Sequence, residues 1–370
     1  MARKNQMRGS TRQQRALMRK KKKRKRAILV TIELFILAIL GVGAYGMFKL
    51  DKIDTKKLNE KNLEAYHDTG PYTNIALFGL DSREGEVEGG VQSDAMMIAS
   101  INNKTSEVKL ISVYRDTLLQ QADGGYNKAN SAYNTGGPEE AIALLNRNLD
   151  LDIKKYVSVN FDVMIDVIDA LGGVQIDVAE EEISEINGYA QEVIKVTGVD
   201  SEGVFEPGVQ TLNGVQATAY ARIRHVKGNT SGNDFGRTER QRAVLEQIFQ
   251  KAQSANVITL NKLIDKVLPK CSTNFTSLEL MGVAANVMNY KVGGTTGFPF
   301  DVTTSEDVMK HEGISFVVPV GFASNVQQLH EYLFADKSYV ASDKVTEVNN
   351  DIIYLTGIDK DMSDSNAEGN

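Results

Sequence analysis

Tryptophan is absent from this 370-residue chain, and cysteine occurs once, at Cys271. A single cysteine excludes an internal disulfide framework and any thiolate metal cluster. Histidine is almost as scarce: His67, His225, His311 and His330 are scattered, with no pair at H-E-x-x-H spacing. Neither a G-x-S-x-G elbow nor a Cys–His nucleophile set is present, and the Gly136-Gly137-Pro138 loop lacks the G-K-[ST] of a Walker A sequence. Acid is missing from residues 1–26, which carry 13 Lys or Arg, so the formal net charge of −6 becomes −19 beyond them. A region that acidic is a poor general nucleic-acid binder, because non-specific affinity comes from neutralising phosphates. Internal repeats are lacking, as is low complexity beyond the basic arm, and the length allows one large domain or two ordinary ones plus tails.

What the chain does have begins with one long apolar run. Ala27–Phe48 (AILVTIELFILAILGVGAYGMF) spans 22 residues between KKKRKR and Lys49, with Glu33 its one charge. At about 1.5 Å per residue that length crosses a hydrocarbon core of about 30 Å. A cleaved signal peptide would have a core of about 7–15 residues and an A-x-A site, so an uncleaved anchor is expected. The basic run before it places the amino terminus in the cytoplasm and the acidic bulk outside. This divides the chain into a cytoplasmic basic arm (1–26), a transmembrane helix (27–48) and an extracellular spacer (49–71).

Further on, short apolar runs at 74–80, 95–101 and 108–113 predict buried strands, and each adjoins charged residues: Asp81 and Arg83, Asp94, and Arg115 with Asp116. Pro138 predicts a helix start before EEAIALLNRNL. Residues 156–159 and 174–178 read as strands around a helix that Asn160 caps. The polar segment 180–208 has no clean period and is read as a hairpin or surface excursion. A helix from Asn213 to Ala219, a strand over Ala221–Arg224, a helix from Asp234 to about Ala252 and a capping box at Thr276 and Glu279 follow. Phe316–Val320 reads as a late strand, Asn325–Phe334 as a helix, and the final DMSDSNAEGN as disordered. Strand–helix–strand succession of this kind predicts an α/β fold.

Beyond Lys49 the chain has only eight arginines, and five of them fall between Tyr220 and Leu245. Guanidinium groups are planar, permanently charged and suited to bidentate phosphate contact. Alternation would put Arg222 and Arg224 on one strand face, while Arg237 and Gln241 share the amino-terminal end of a helix face, where the dipole favours an anion. For any one arginine a surface ion pair is the ordinary reading; for the group in a Gly-rich setting, a phosphate site is expected. Arg240 and Arg242 point elsewhere on that helix, at least one as a solvated charge. Asp81 and Asp94 are metal candidates, since Mg²⁺ takes one or two carboxylates and completes its shell with water and phosphate, although an Asx-turn explains each equally well. Arg115 with Asp116 could equally be a buried structural pair.

The ordered segments GLDSR (79–83), SDAMM (93–97), SVYRDT (112–117), NKANSAY (127–133), GGPEEA (136–141), NFDVMIDVIDALGGV (160–174), LNGVQATAYARIRH (212–225) and DFGRTERQ (234–241), with the single anchor, resemble the LytR–CpsA–Psr family of cell-wall proteins. The resemblance covers roughly residues 72–255, with 256–340 as the rest of the domain or an accessory extension and 341–370 as an acidic tail. It implies a central mixed β-sheet with helices on both faces and an apolar tunnel for a prenyl chain. It also implies a phosphotransferase moving a glycopolymer (teichoic acid, capsule or similar) from a polyprenyl-diphosphate carrier onto peptidoglycan, with Mg²⁺ or Mn²⁺. By the same resemblance Asp81 and Asp94 serve the metal. Arg83, Arg115, Arg222, Arg224, Arg237 and Gln241 bind the diphosphate, with Arg115, Arg222 and Arg224 also catalytic and Asp94 or Asp116 as base. Tyr114 departs from the family, where many members have proline. Two alternatives stay open: a polyprenyl-diphosphate-glycan diphosphatase, and a non-enzymatic membrane-anchored regulator.

Overall fold

The computed structural model describes residues 56–80, 91–224, 234–305 and 315–359. The basic arm, the anchor stretch, Asp81, Arg83, the 228–233 loop and DMSDSNAEGN lie outside the described residues.

In chain order the strands and helices begin with β1 (Tyr72–Leu80), β2 (Ser93–Asn102), β3 (Glu107–Val113), β4 (Leu118–Gln120) and β5 (Tyr126–Lys128). Next come α1 (Ser131–Leu149), β6 (Lys155–Val159), α2 (Phe161–Ala170), β7 (Val174–Val178), α3 (Ile183–Thr197), β8 (Gly208–Leu212), α4 (Gly214–Tyr220) and α5 (Asp234–Gln253). The chain continues through α6 (Val257–Lys266), β9 (Ser272–Thr273), α7 (Ser277–Asn286), β10 (Lys291–Phe298), β11 (Val302–Ser305), β12 (Phe316–Pro319), α8 (Phe322–Phe334) and α9 (Asp343–Thr356).

Six strands form one mixed sheet in the order β10-β3-β2-β1-β6-β9, with β1 parallel to β6 and antiparallel to β2. β1 is apolar on both faces because both faces are covered. Ala76, Phe78, Met96, Ile98, Ile111 and Tyr156 face one way, onto Ile142 and Leu145 of α1, Leu329 of α8 and Val345 of α9. Ile75, Ala99, Val108 and Leu110 face the other way, with Leu245 and Phe249 of α5 and Leu280 of α7 against them. A second cluster joins the β7–β8 ribbon to α3 and α4.

Local signals explain several boundaries. The Asn160 side chain accepts from the Val163 amide (3.0 Å) and opens α2. Asn213 and Gln216 form a capping box at α4, and Thr276 with Glu279 does the same at α7. Asn160→Ala is expected to lower unfolding free energy by about 1 kcal/mol, the usual cost of losing an N-cap; urea denaturation of the purified chain measures it.

The structure differs from the sequence expectations in several places. Residues 183–197 form α3, not a hairpin or surface excursion: Ile183, Ile186, Ala190, Val193 and Ile194 recur at helical spacing and pack into one cluster, a stripe diluted by the polar residues between them. α1 begins at Ser131, before the expected Pro138, with Gly137 at φ 65 interrupting it. That first turn buries Tyr133, whose hydroxyl donates to Ser158 (2.9 Å). Ala221–Arg224 is not a strand: Arg222 and Ile223 donate amides to Ala219 and Tyr220, continuing a turn off α4. Leu63, in the expected spacer, is fully buried, and the Asn146 side chain donates to its carbonyl (2.7 Å). β9 and β10 are edge strands of the main sheet, and Val345, Val348 and Ile352 of α9 are core residues, so described residues well beyond 255 complete the same core.

Candidate functional site

A cavity of about 570 Å³ lies on the α5 side of the sheet. Leu77 and Gly79 of β1, Ala95 and Met97 of β2, and Val157 and Val159 of β6 form its floor, while α2 and α5 wall it with residues such as Met164 and Ile248. Its size falls in the range of about 300–1,000 Å³ typical of ligand pockets. Small residues make the room: a Cβ at Gly79 would stand 3.1 Å from the Ala95 Cβ, so larger side chains at this pair would close the floor.

Charged and polar side chains join the apolar lining of the cavity. Asp94, Arg222, Arg224, Arg237 and Gln241 all line it, with Glu192 and Thr218. Arg237 is buried at 3% exposure near the start of α5, where the helix dipole adds positive potential. The Arg222 guanidinium lies over the Phe161 ring (4.9 Å) and the Tyr189 ring (5.4 Å) and pairs with Glu192 (3.3 Å). Two rings and one carboxylate hold the planar group in place beside the cavity.

Arg115 and Asp116 are not among the lining residues. Arg115 reaches the site through Asp94 (2.7 Å) and also pairs with Asp116 (3.5 Å), which in turn pairs with Lys128 (2.9 Å). Of the two aspartates considered as base, only Asp94 meets the cavity. Asp81 and Arg83 lie outside the described residues.

Arg240 and Arg242 are not solvated charges. Arg240 is buried, donates from Nε to Glu182 (2.8 Å) and from Nη1 to the Ile223 carbonyl (3.4 Å), and lies over the Tyr220 ring (5.9 Å). Gln241 makes a longer contact to the Ala221 carbonyl (3.5 Å). These bonds fall on either side of Arg222, so α5 fixes the turn that carries the arginine pair. Arg242 lies against Tyr114, whose hydroxyl is pushed up by burial, and Tyr114 packs edge-on to Phe235 (4.6 Å). The residue departing from the family pattern thus braces the first turn of α5. Gly297 makes room for it, since a Cβ there would collide with the Tyr114 hydroxyl.

Glu182, Glu192, Phe161, Tyr189 and Lys128 escaped sequence reasoning. Each acts on an arginine or aspartate far from it in the chain, and no local pattern announces such a contact. Cys271 is buried and its thiol pushed up to about 12, which fits an inert core residue rather than a nucleophile. Among the described residues no group of three or more His, Cys, Asp or Glu is arranged around a metal. Asp94 supplies one carboxylate to the cavity, which suits an ion that takes one or two carboxylates and fills its shell with phosphate and water.

The cavity thus joins an apolar floor to arginine, glutamine and aspartate side chains on an α/β scaffold. The chain matches the LytR_cpsA_psr family over residues 44–310 and belongs to it. It is 30% identical over 270 residues to the polyisoprenyl-teichoic acid–peptidoglycan teichoic acid transferase TagV of Bacillus subtilis (strain 168), covering 69% of this chain and 65% of TagV. Biofilm regulatory protein A of Streptococcus mutans is 28% identical over 312 residues, covering 76% of this chain and 73% of that protein. Among solved structures, the family protein YwtF (TagT) with bound octaprenyl pyrophosphate lipid shares the fold, with a TM-score of 0.52 at 20% identity, covering 77% of this chain and 94% of that one.

Proposed function

We propose that this protein is a membrane-anchored phosphotransferase that works outside the cell. It moves a glycopolymer from a polyprenyl-diphosphate carrier onto peptidoglycan. The observation that carries this reading is the cavity itself: an apolar floor sized for part of a prenyl chain, lined also by Arg222, Arg224, Arg237, Gln241 and Asp94. The names of TagV and the lipid bound to TagT support the same class of ligand.

In this reading the apolar floor takes the prenyl chain, and the three arginines bind the diphosphate oxygens. An acceptor hydroxyl attacks the phosphorus nearest the glycan. A new P–O bond forms, the bond to the bridging oxygen breaks, and prenyl phosphate leaves with the electron pair. Asp94 takes the hydroxyl proton in this reading, and Arg115, donating to its Oδ1 (2.7 Å), fixes its orientation. Charge grows on the bridging and equatorial oxygens as the bond breaks, which is where fixed guanidinium groups contribute most. Asp94, together with Asp81, would hold Mg²⁺ or Mn²⁺, which when bound supplies further positive charge to the diphosphate.

The direct test incubates the full-length chain with a polyprenyl-diphosphate-linked glycan, peptidoglycan and Mg²⁺. A glycan–peptidoglycan conjugate is expected. Free glycan phosphate without conjugate would replace this reading with a diphosphatase, and no turnover of the carrier would reject both. A second expectation concerns the floor. Met97→Trp fills existing space, so thermal stability should hold while KM for the lipid carrier rises by about tenfold or more. Displacing even two buried CH₂ groups costs about 1.6 kcal/mol of binding. An unchanged KM would place the prenyl chain elsewhere.

A further inference from the structure

The outer face of α6 has no part in the site, yet its chemistry is distinctive. Ile258 is 71% exposed there, and Lys262 and Lys266, also exposed, follow at successive four-residue steps on the same face. Next in the chain, Leu278 in the first turn of α7 is 74% exposed. Residues 251–270 carry four lysines (Lys251, Lys262, Lys266, Lys270) and one acid, Asp265, within a chain that is net −19 past residue 26. Exposed apolar groups interleaved with lysine are the composition of a helix that lies in a lipid interface. Isolated exposed hydrophobics are ordinary, and only a second feature beside them marks a lipid surface.

The path of the chain supplies it. The first described residue, Lys56, donates its backbone amide to the Thr273 carbonyl (3.0 Å). Thr273 belongs to β9, which lies in sequence between α6 and α7. Residues 49–55 are all that separates this point from the apolar stretch ending at Phe48. Eight peptide steps span at most about 27–29 Å, so a bilayer holding residues 27–48 must come within that distance of β9. The inner face of α6 points the same way: Leu263 and Val267 pack with Val163 and Val167 of α2, and both of those α2 residues line the cavity. One helix layer therefore separates the cavity wall from the face that carries Ile258.

We propose that the outer face of α6, with Leu278 of α7, seats the domain on an anionic lipid surface. This seating rests on the reading of residues 27–48 as an anchor. It holds the cavity wall one helix layer from the bilayer, so the carrier's prenyl chain has a short path from membrane to protein. Lys262 and Lys266 meet lipid phosphates, while Ile258 and Leu278 enter the acyl boundary.

The test uses the full-length chain reconstituted into vesicles of phosphatidylglycerol and phosphatidylcholine. Cys271 is buried, so single fluorophores attach cleanly at Ile258→Cys, Leu278→Cys or Tyr354→Cys; Tyr354 is 89% exposed on α9, on the opposite side of the sheet. Spin-labelled lipid is expected to quench the probes at 258 and 278 at least twofold more than the probe at 354. In phosphatidylcholine vesicles, or with Lys262→Glu and Lys266→Glu, that excess quenching should fall by at least half. Flotation with the vesicles but equal quenching at all three sites overturns the seating and leaves the anchor standing. Probes at 258 and 278 shielded by a second copy in detergent, without lipid quenching in vesicles, also overturn it. Failure to float with the vesicles overturns the anchor and the seating together.

Discussion

Replacing Arg222 with alanine is expected to lower glycan transfer by about 10²–10³-fold, the loss seen when one fixed donor to a developing oxyanion is removed. The expectation rests on how Arg222 is held. Two aromatic rings and Glu192 position its guanidinium beside the cavity before any ligand arrives. Little of its binding strength is then spent on ordering a flexible side chain. Only 24% of the side chain is exposed, and its two ring contacts and the Glu192 pair go with it, so a drop in thermal stability of about 1–2 kcal/mol should accompany a far larger loss of transfer. Arg237→Lys is the companion variant, keeping the charge and losing the planar fork. Steady-state transfer assays with lipid-linked glycan read both effects. Transfer by Arg222→Ala within a factor of a few of the parent would remove these arginines from the mechanism.

The second large effect concerns stability. Arg240→Leu strips the partner from Glu182, whose side chain is 10% exposed, and should cost about 3–5 kcal/mol of unfolding free energy. Most of that cost is a carboxylate left without its counter-charge in a dry site, with only the Ala179 amide (3.1 Å) among the described contacts still donating to it, not the intrinsic worth of the pair. The double variant Arg240→Leu with Glu182→Leu should therefore recover most of the stability. Its transfer rate should remain depressed, because the bond to the Ile223 carbonyl that holds the Arg222 turn against α5 is gone. Urea denaturation and transfer assays on the single and double variants separate the two roles. If the double variant is no more stable than the single one, the penalty has another origin.

The strands around the site were legible in the sequence because each is a short apolar run bounded by turn residues, and burial on both faces leaves little else for such a run to be. Caps at Asn160 and Asn213 were legible for the same kind of reason: the donor and acceptor lie within one turn. α3 was less legible: Ile183, Ile186, Ala190 and Val193 do recur at helical spacing, but the glutamates before it and the polar residues among them blur the stripe. The arginine pair was found by composition but placed on the wrong element. Alternating residues suggest a strand wherever they occur, whereas here backbone bonds to Ala219 and Tyr220 continue a turn from α4.

The sequence by itself determined which residues could meet an anion: five arginines in one window of an acidic chain, and a short set of aspartates at strand ends. Residue type is a local property, and charge cannot be hidden from composition. Only the tertiary structure decided their division of labour. Arg222, Arg224 and Arg237 line the cavity with Asp94; Arg115 stands behind Asp94; Arg240, from the same window, is turned away to hold Glu182 and the turn. Those roles depend on Glu182, Glu192, Phe161 and Tyr189, which come from separate elements. Which of several identical guanidinium groups is paired internally, and which is left to a ligand, is set by contacts across the fold.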